Sequence, residues 1–202
     1  MEKFPPFREF RHGNSQEENS ASIAVKTVDS ETPEETVERV YREINAQLAD
    51  DLLTSVLAMS PEFFEQLVVD LLNKMGYGGY EGAGFRTKAS NDGGIDGIIP
   101  EDKLGFNLIY IQAKRWSPDT RIGKPEIQKF MGALAGPPKI DKGLYITTAQ
   151  FTQGAKDYAD AQHIILVDGS RLTDLMIEFG LGVFEEKVYK IRKMDTDYFS
   201  ED

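Results

Sequence analysis

Three polar residues lie next to apolar runs of the sequence: Asp96, Gln112 and Lys114. Gln112 and Lys114 end an apolar run, and at this spacing on a strand their side chains share one face. A carboxylate, an amide oxygen and a lysine are groups that metal-assisted phosphodiester hydrolysis needs. They offer ligands for a divalent ion and positive charge for the developing phosphorane.

The opposing interpretation is an ordinary solvated strand face, which is the more typical setting for an isolated Gln-Ala-Lys. The surroundings of Asp96 count against it. Asp96 lies within the apolar stretch "GGIDGII", where a charged side chain needs a compensating partner. From the residues alone, both interpretations stay open.

Two further sets of residues are candidates for the same chemistry. Glu65 lies beside the apolar stripe of a predicted helix and would bring another carboxylate, although a surface glutamate is an equal alternative. Thr147 and Thr148 close an apolar run and would present hydroxyls to phosphates. Strand termination and helix capping are the more typical role for such threonines.

Hydrophobic periodicity predicts which elements position these residues. Thr32, followed by a proline and two glutamates, predicts the start of an amphipathic helix that reaches residue 57, and Ser60 predicts the start of a second helix. The predicted elements that follow are strands 85–89, 95–99, 108–114, 143–148 and 164–167 and helices 125–134, 151–161 and 170–179. This alternation predicts an α/β fold, a three-layer sandwich around a central mixed sheet.

Composition limits the classes of protein. A chain of 202 residues is long enough for one well-cored domain with an appendage. The absence of cysteine excludes disulfides, thiolate metal sites and thiol nucleophiles. No apolar run reaches the roughly 18 residues of a membrane span, so we expect a cytoplasmic protein without a membrane partner. The net charge of −11 disfavours a nucleic-acid coat protein, but residues 103–129 carry six basic and two acidic side chains.

Six segments, taken in order, resemble one nuclease family. They are "SPEFFEQLVVDLLNKMGYGG", "NDGGIDGII", "YIQAKRW", "IQKFMGALAG", "KGLYITTAQFTQGAKDYA" and "ILVDGSRLTDLMIEFGLGV". Over about residues 55–185 the sequence is similar to the catalytic domain of Mrr-type type IV restriction endonucleases, within the PD-(D/E)xK nuclease superfamily. The order and spacing of the segments are far more specific than any one of them.

The resemblance assigns a role to each candidate. Asp96 is implied to bind the metal, Gln112 stands where most of the superfamily has a carboxylate, and Lys114 is the catalytic lysine. Glu65 matches the glutamate of the first catalytic-domain helix, and the carbonyl of Ala113 is an expected metal ligand. The implied DNA-contacting residues are Arg115, Lys124, Thr147 and Thr148. Because Gln112 is neutral, we expect weaker ion binding unless Glu65 offsets the missing charge.

The resemblance also implies an activity. We expect a Mg²⁺-dependent DNA endonuclease, with Mn²⁺ as the alternative ion, that restricts modified (methylated) foreign DNA. The implied partners are double-stranded DNA and further copies of the chain in a homodimer or higher oligomer. Two alternatives stay open: a structure-selective repair or Holliday-junction nuclease on the same fold, and a non-cleaving remnant that binds DNA or protein.

Four segments are expected along the chain. Residues 1–31 are a flexible segment or a remnant of a DNA-recognition domain, and residues 32–57 are a linker helix. Residues 58–187 are the catalytic domain, and residues 188–202 are a charged tail. Full-length members carry an N-terminal winged-helix domain thought to read DNA, so we expect recognition to come from a partner or from a domain outside this sequence.

Overall fold

A computed structural model describes residues 31–78, 95–135 and 142–200, together with the backbone of 85–86. The predicted turn at 90–94 and most of the predicted strand 85–89 lie outside these residues. The chain divides into two units with the boundary after Arg39. Of the first unit, the structure describes residues 31–39, which contain the start of a helix.

Capping side chains determine where the first two helices begin. Helix α1 spans Pro33–Ala58, and Thr32 and Glu35 cap it reciprocally. The Thr32 hydroxyl accepts from the Glu35 N–H at 3.2 Å, and the Thr32 N–H donates to Glu35 Oε2 at 2.7 Å. Hydrogen bonding to the Glu35 carboxyl, first from the Thr32 backbone and then from the Thr32 side chain, lowers its pKa. Helix α2 spans Pro61–Lys74, and the Ser60 hydroxyl accepts from the N–H of its third residue at 3.1 Å. Both predicted starts are confirmed.

The remaining elements alternate as the sequence predicts. The strands are β1 (Phe85–Arg86), β2 (Gly97–Pro100), β3 (Leu108–Lys114), β4 (Arg121–Ile122), β5 (Gly143–Thr147), β6 (Gln150–Phe151) and β7 (Ile164–Val167). The helices are α3 (Lys124–Leu134), α4 (Gln153–Ala161) and α5 (Gly169–Glu178), and a 3₁₀ turn spans Asp197–Phe199. None of the helices among these described residues has both the length and the apolar character to cross a membrane.

Five strands form one mixed sheet in the order β1-β2-β3-β5-β7. The pairs β1–β2 and β2–β3 are antiparallel, while β3–β5 and β5–β7 are parallel. Strand β3 therefore lies at the centre, with a hairpin partner on one side and a crossover partner on the other. Strands β4 and β6 form a separate two-stranded parallel sheet.

Apolar side chains cover both faces of the five-stranded sheet. A first cluster joins the end of α1, α2 and α5 to one face, through residues such as Val56, Phe64 and Leu172. A second cluster joins α3 and α4 to the other face, through residues such as Phe130 and Ala155. The result is the predicted three-layer α/β sandwich.

The turn between β2 and β3 is organised by one carboxylate. Asp102 accepts backbone N–H bonds from Asn107 at 3.0 Å, Leu104 at 2.9 Å and Phe106 at 3.3 Å. Hydrogen bonding, chiefly from the Asn107 N–H, holds the pKa of the Asp102 carboxyl below its usual value. A fixed turn fixes the strand register, in which Gly97 pairs with Ile111.

The start of helix α4 differs from the prediction, because a residue predicted to be helical lies in a strand. Phe151 was expected to open a helix, but it belongs to β6 and pairs with Ile122 of β4. Thr152 caps α4 instead, because its hydroxyl accepts from the Ala155 N–H at 3.3 Å. The buried Phe151 side chain packs in the second cluster, so a long-range contact overrides the local helical pattern.

We expect Gly169→Ala to destabilise the protein by about 1–3 kcal/mol, the usual range for overpacking. A Cβ at this position would lie 2.5 Å from the Thr148 carbonyl oxygen, which is backbone and cannot rotate away. The matched control is Gly154→Ala on α4, where a Cβ meets nothing within 4 Å and the stability should hold or rise. Urea unfolding of both variants measures the difference, and equal stability would contradict the close approach.

Candidate active site

Side chains of β3 alternate between the two faces of the sheet. Ile111 and Ala113 belong to the first cluster, while Tyr110 packs against the second. Alternation then puts Gln112 and Lys114 on the α3–α4 side. The predicted spacing is confirmed: the strand ends at Lys114, and its two polar residues share a face.

Asp96 lies beside this polar face at the start of β2. Continuing the β2–β3 register by one residue places Asp96 opposite Gln112. The Asp96 N–H donates to the Ile111 carbonyl at 2.8 Å, and Asp96 Oδ2 accepts from the Ala113 N–H at 2.9 Å. Lys114 Nζ lies 3.5 Å from the same Oδ2. The structure thus brings Asp96, Gln112 and Lys114 together.

The contact between Asp96 and Lys114 is a loose ion pair open to solvent. Their side chains are 18% and 34% exposed, respectively. A pair of this kind contributes at most about 1 kcal/mol to stability. In the described part of the chain no hydrogen-bond donor contacts Oδ1 of Asp96. The Asp96–Lys114 pair adds little to the stability of the fold, so a catalytic role explains it better than a structural one.

Tyr145 stands next to Gln112 on the neighbouring strand. The two residues are register partners of β3 and β5, and their side chains project from the same face. The Tyr145 ring packs edge-on against Phe130 and Phe151, with centroid distances of 5.7 and 5.8 Å. Its hydroxyl is buried and has no hydrogen-bond partner among the residues that the structure describes.

The electrostatic surroundings keep the Tyr145 hydroxyl protonated. Burial is the main cause that raises its pKa, and the charges of Glu126 and Asp96 raise it further. Glu126 lies on the first turn of α3, where its Oε1 accepts from Lys129 Nζ at 2.6 Å. A hydroxyl with a raised pKa is poorly suited to act as a base.

The two predicted threonines use their hydroxyls inside the protein. Thr147 Oγ1 donates to the Lys114 carbonyl at 2.6 Å and accepts from the Ala149 N–H at 3.1 Å. Thr148 Oγ1 donates to the Trp116 carbonyl. Both threonines are buried. Their visible role is to hold the end of β3 and the residues that follow it.

Arg115 is likewise engaged within the protein. Its Nη1 donates to the Leu57 carbonyl at 2.7 Å, near the end of α1. A guanidinium at a helix C-terminus satisfies a carbonyl that has no partner within the helix. Its Nε is buried without a partner in the described ranges. Arg115 thus ties helix α1 to the strand that carries Lys114.

Three predicted residues remain: Lys124, Glu65 and Ala113. Lys124 is exposed at the start of α3, with its Nζ 5.2 Å from the centre of the Tyr158 ring. Glu65 is half-buried on α2, and the apolar residues of α2 pack on the face opposite Gln112 and Lys114. Ala113 is central on β3, between the two polar positions. A metal-ligating role for Glu65 stays a prediction.

The sequence did not single out Tyr145 or Glu126. Tyr145 is the third residue of an apolar strand, and only its register with Gln112 brings it to the site. A parallel register between β3 and β5 is a long-range property that the local pattern does not encode. Across the described residues no three His, Asp or Glu side chains form a group that could hold a metal ion.

The fold and the site together define a restriction-endonuclease-like protein: a mixed sheet whose central strand carries Gln-Ala-Lys beside an aspartate from the neighbouring strand. A family model described as Mrr_cat, restriction endonuclease, matches residues 56–176. The chain belongs to this family of restriction endonucleases. This confirms the resemblance carried by the six sequence segments.

A curated relative supports the assignment. The chain is 43% identical over 169 residues to the type IV methyl-directed restriction enzyme EcoKMrr of Escherichia coli (strain K12). The match covers 83% of this chain and 54% of the relative, so the chain spans about half the length of that enzyme.

Solved structures resemble the fold at low sequence identity. The crystal structure of the protein of unknown function AF1548 aligns with a TM-score of 0.51 and 19% identity, over 66% of this chain and 73% of that one. The DNA modification-dependent restriction endonuclease AspBHI aligns with a TM-score of 0.48 and 18% identity, over 66% and 36% of the two chains.

We expect Arg115→Ala to lower the free energy of unfolding by about 2–3 kcal/mol, because a charged hydrogen bond and a buried side-chain stem are lost together. The matched control is Arg121→Ala on β4, where the arginine is exposed and the change should stay within about 0.5 kcal/mol. Chemical denaturation measures both. Full stability of Arg115→Ala with weakened DNA binding would instead favour the predicted phosphate contact.

Proposed function

We propose that this chain is a metal-dependent DNA endonuclease whose active centre is Asp96, Gln112 and Lys114. The observation that carries the proposal is the 3.5 Å approach of Lys114 Nζ to Asp96 Oδ2 at the end of a central strand, in a member of a restriction endonuclease family. Members of this family generally depend on a divalent metal ion. A carboxylate and a lysine so placed serve phosphodiester hydrolysis directly.

The oxygen atoms at the site fit a hard divalent cation. Asp96 supplies a carboxylate oxygen, and Gln112 and the Ala113 carbonyl supply neutral oxygens nearby. The orphaned Tyr145 hydroxyl is a further polar group on the same face. We propose that Asp96, Gln112 and Ala113 hold Mg²⁺, with Mn²⁺ as an alternative. When bound, the ion supplies Lewis-acid polarisation of the phosphate and a more acidic water.

Lys114 has two roles in the proposed reaction. Its ammonium donates hydrogen bonds, so it can orient the attacking water, and its positive charge stabilises the charge that develops on the phosphorus oxygens. Asp96 keeps Lys114 in place through the shared Oδ2, while Ala113 fixes Asp96 through the backbone N–H. Each group is thereby held by a neighbour on the same hairpin.

Double-stranded DNA is the proposed substrate. The stretch 114–129 begins at the end of β3 and leads into α3, and it carries five basic and two acidic side chains, so net positive charge follows the active centre along the chain. Lys124 is exposed there, and we propose that it contacts the phosphate backbone. Hydrogen bonds inside the protein would support that surface, because they hold the end of β3. They are made by Arg115, Thr147 and Thr148.

The activity of the curated relative supports the proposed target, while the proposed location and assembly are carried over from the sequence analysis. EcoKMrr is a methyl-directed restriction enzyme, and we propose that this chain likewise cleaves modified foreign DNA, in the cytoplasm and as a homodimer or higher oligomer. The catalytic domain would comprise residues 58–187, preceded by the linker helix and followed by the charged tail. The chain spans about half of that relative, so recognition of the modified base is assigned to no residue here.

Plasmid cleavage with Mg²⁺ tests the active centre. We expect Asp96→Asn and Lys114→Ala each to lower the cleavage rate at least about 100-fold, since each removes a group that contacts the reacting phosphate or its metal ion. The matched control is Lys103→Ala, an exposed lysine on the turn of the same hairpin, which should cleave at the wild-type rate.

The DNA used in that assay separates the alternatives. Preferential cleavage of methylated plasmid supports the restriction role, and preferential cleavage of branched DNA indicates a repair or junction nuclease. Intact binding without cleavage of any substrate would identify a non-cleaving remnant. Wild-type cleavage by both Asp96→Asn and Lys114→Ala would remove the site assignment.

The salt dependence of DNA binding tests Lys124. We expect Lys124→Ala to reduce the slope of log K against log salt concentration by about 1, as the loss of one phosphate contact predicts. Lys74→Ala is the control, because Lys74 is exposed at the end of α2 in the opposite layer and its loss should leave the slope unchanged. Fluorescence anisotropy without divalent metal measures binding alone. An unchanged slope for Lys124→Ala would exclude the contact.

A further inference from the structure

A glutamine at a metal-ligand position has a problem that a carboxylate lacks. The two oxygens of a carboxylate are equivalent, whereas the amide of Gln112 has an oxygen at one end and an NH₂ donor at the other. Only the oxygen can bind a cation, and the NH₂ group turned inward would repel it. A neutral ligand of this kind therefore needs a partner that fixes the orientation of its amide.

Tyr145 is the neighbour best placed to be that partner. It pairs with Gln112 in the register of β3 and β5, so the two side chains leave the same face of adjacent strands. Phe130 and Phe151 both pack edge-on against the Tyr145 ring, and the residue is 1% exposed. A ring fixed in this way presents its hydroxyl at a defined position.

The Tyr145 hydroxyl has an unfulfilled hydrogen bond. It is buried and has no partner within the described residues, a state that costs about 1–3 kcal/mol for a polar group. A phenylalanine would keep both ring contacts without that cost. The hydroxyl is therefore better explained by a contact made when the site is in use than by packing.

We propose that Tyr145 is a positioning residue whose hydroxyl oxygen accepts a hydrogen bond from Nε2 of Gln112 and so turns Oε1 toward the metal position beside Asp96. The neutral hydroxyl suits this role, because an acceptor oxygen that keeps its own proton adds no negative charge next to Asp96. Tyr145 contacts neither the phosphate nor the ion. It acts through Gln112.

The inference rests on the proposed function, because it takes Gln112 to be a metal ligand. It also accounts for a ligand set with one negative charge fewer than an Asp/Glu site. An amide held with its oxygen inward loses less conformational freedom on binding the ion. A ligand set with one negative charge fewer binds the metal ion more weakly. Preorganisation of the amide then recovers part of that lost affinity.

A double-mutant cycle on metal affinity tests the proposal. We expect Tyr145→Phe to weaken Mn²⁺ binding, measured by calorimetry in the absence of DNA, by about tenfold. In a Gln112→Glu background the same change should have little effect, because a carboxylate needs no orientation. A Gln112→Ala background should be equally insensitive, since no amide is left to orient.

Two measurements show whether Tyr145→Phe weakens Mn²⁺ binding only by destabilising the fold. Thermal unfolding of Tyr145→Phe without metal should match or exceed wild type, because the ring packing is kept and an unsatisfied hydroxyl is removed. Tyr77→Phe is the matched control: Tyr77 packs against the first cluster, on the other face of the sheet, and its loss of a hydroxyl should leave Mn²⁺ affinity unchanged.

The outcomes separate this inference from the proposed function. If Asp96→Ala leaves Mn²⁺ affinity unchanged, the metal site itself is wrong. If Asp96→Ala weakens binding but Tyr145→Phe has the same effect in all three backgrounds, or none in wild type, only the positioning role is overturned. A loss confined to the glutamine background supports it.

Discussion

The hydrogen bond from the Ala113 N–H to Asp96 Oδ2 is the interaction on which the site depends. It closes the β2–β3 hairpin at the end opposite the Asp102 turn, so the register is held from both ends. A shift of one residue would exchange the two faces of β3. Ile111 and Ala113 would leave the core, and Gln112 and Lys114 would enter it. Correct folding of the core and assembly of the site are therefore the same event.

Three side chains hold the end of β3 through hydrogen bonds to backbone carbonyls. Thr147 binds the Lys114 carbonyl, Thr148 binds the Trp116 carbonyl, and Arg115 reaches the end of α1. These contacts connect the crossover strand β5 and the long first helix to the residues around Lys114. The precision that a catalytic lysine requires is thus supplied by neighbours whose own side chains are already occupied.

Much of the architecture was predictable because it depends on local pattern. The span of β3, the caps at Thr32 and Ser60, and the alternation of helices and strands all follow from periodicity and capping residues. The family assignment is confirmed by the match over residues 56–176. The meeting of Asp96 and Lys114 followed from their positions on one hairpin.

What the sequence could not provide depends on distant pairing. Phe151 joins a strand because Ile122 lies beside it, and Tyr145 enters the site because the register of β3 and β5 places it next to Gln112. Arg115 looks like a DNA contact in a basic stretch until its bond to the Leu57 carbonyl is seen. In each case a partner far away in sequence decides the role, and local residue type does not reveal it.

The bond at Ala113 has a practical consequence. Most amides in a central strand donate to another backbone carbonyl, but this amide donates to a carboxylate that belongs to the proposed ligand set. Any change in the charge or position of Asp96 must alter the polarisation of that N–H. The nitrogen-15 resonance of Ala113 is therefore an intrinsic spectroscopic reporter, through which the state of the site can be followed in solution without labelling the DNA or replacing a residue.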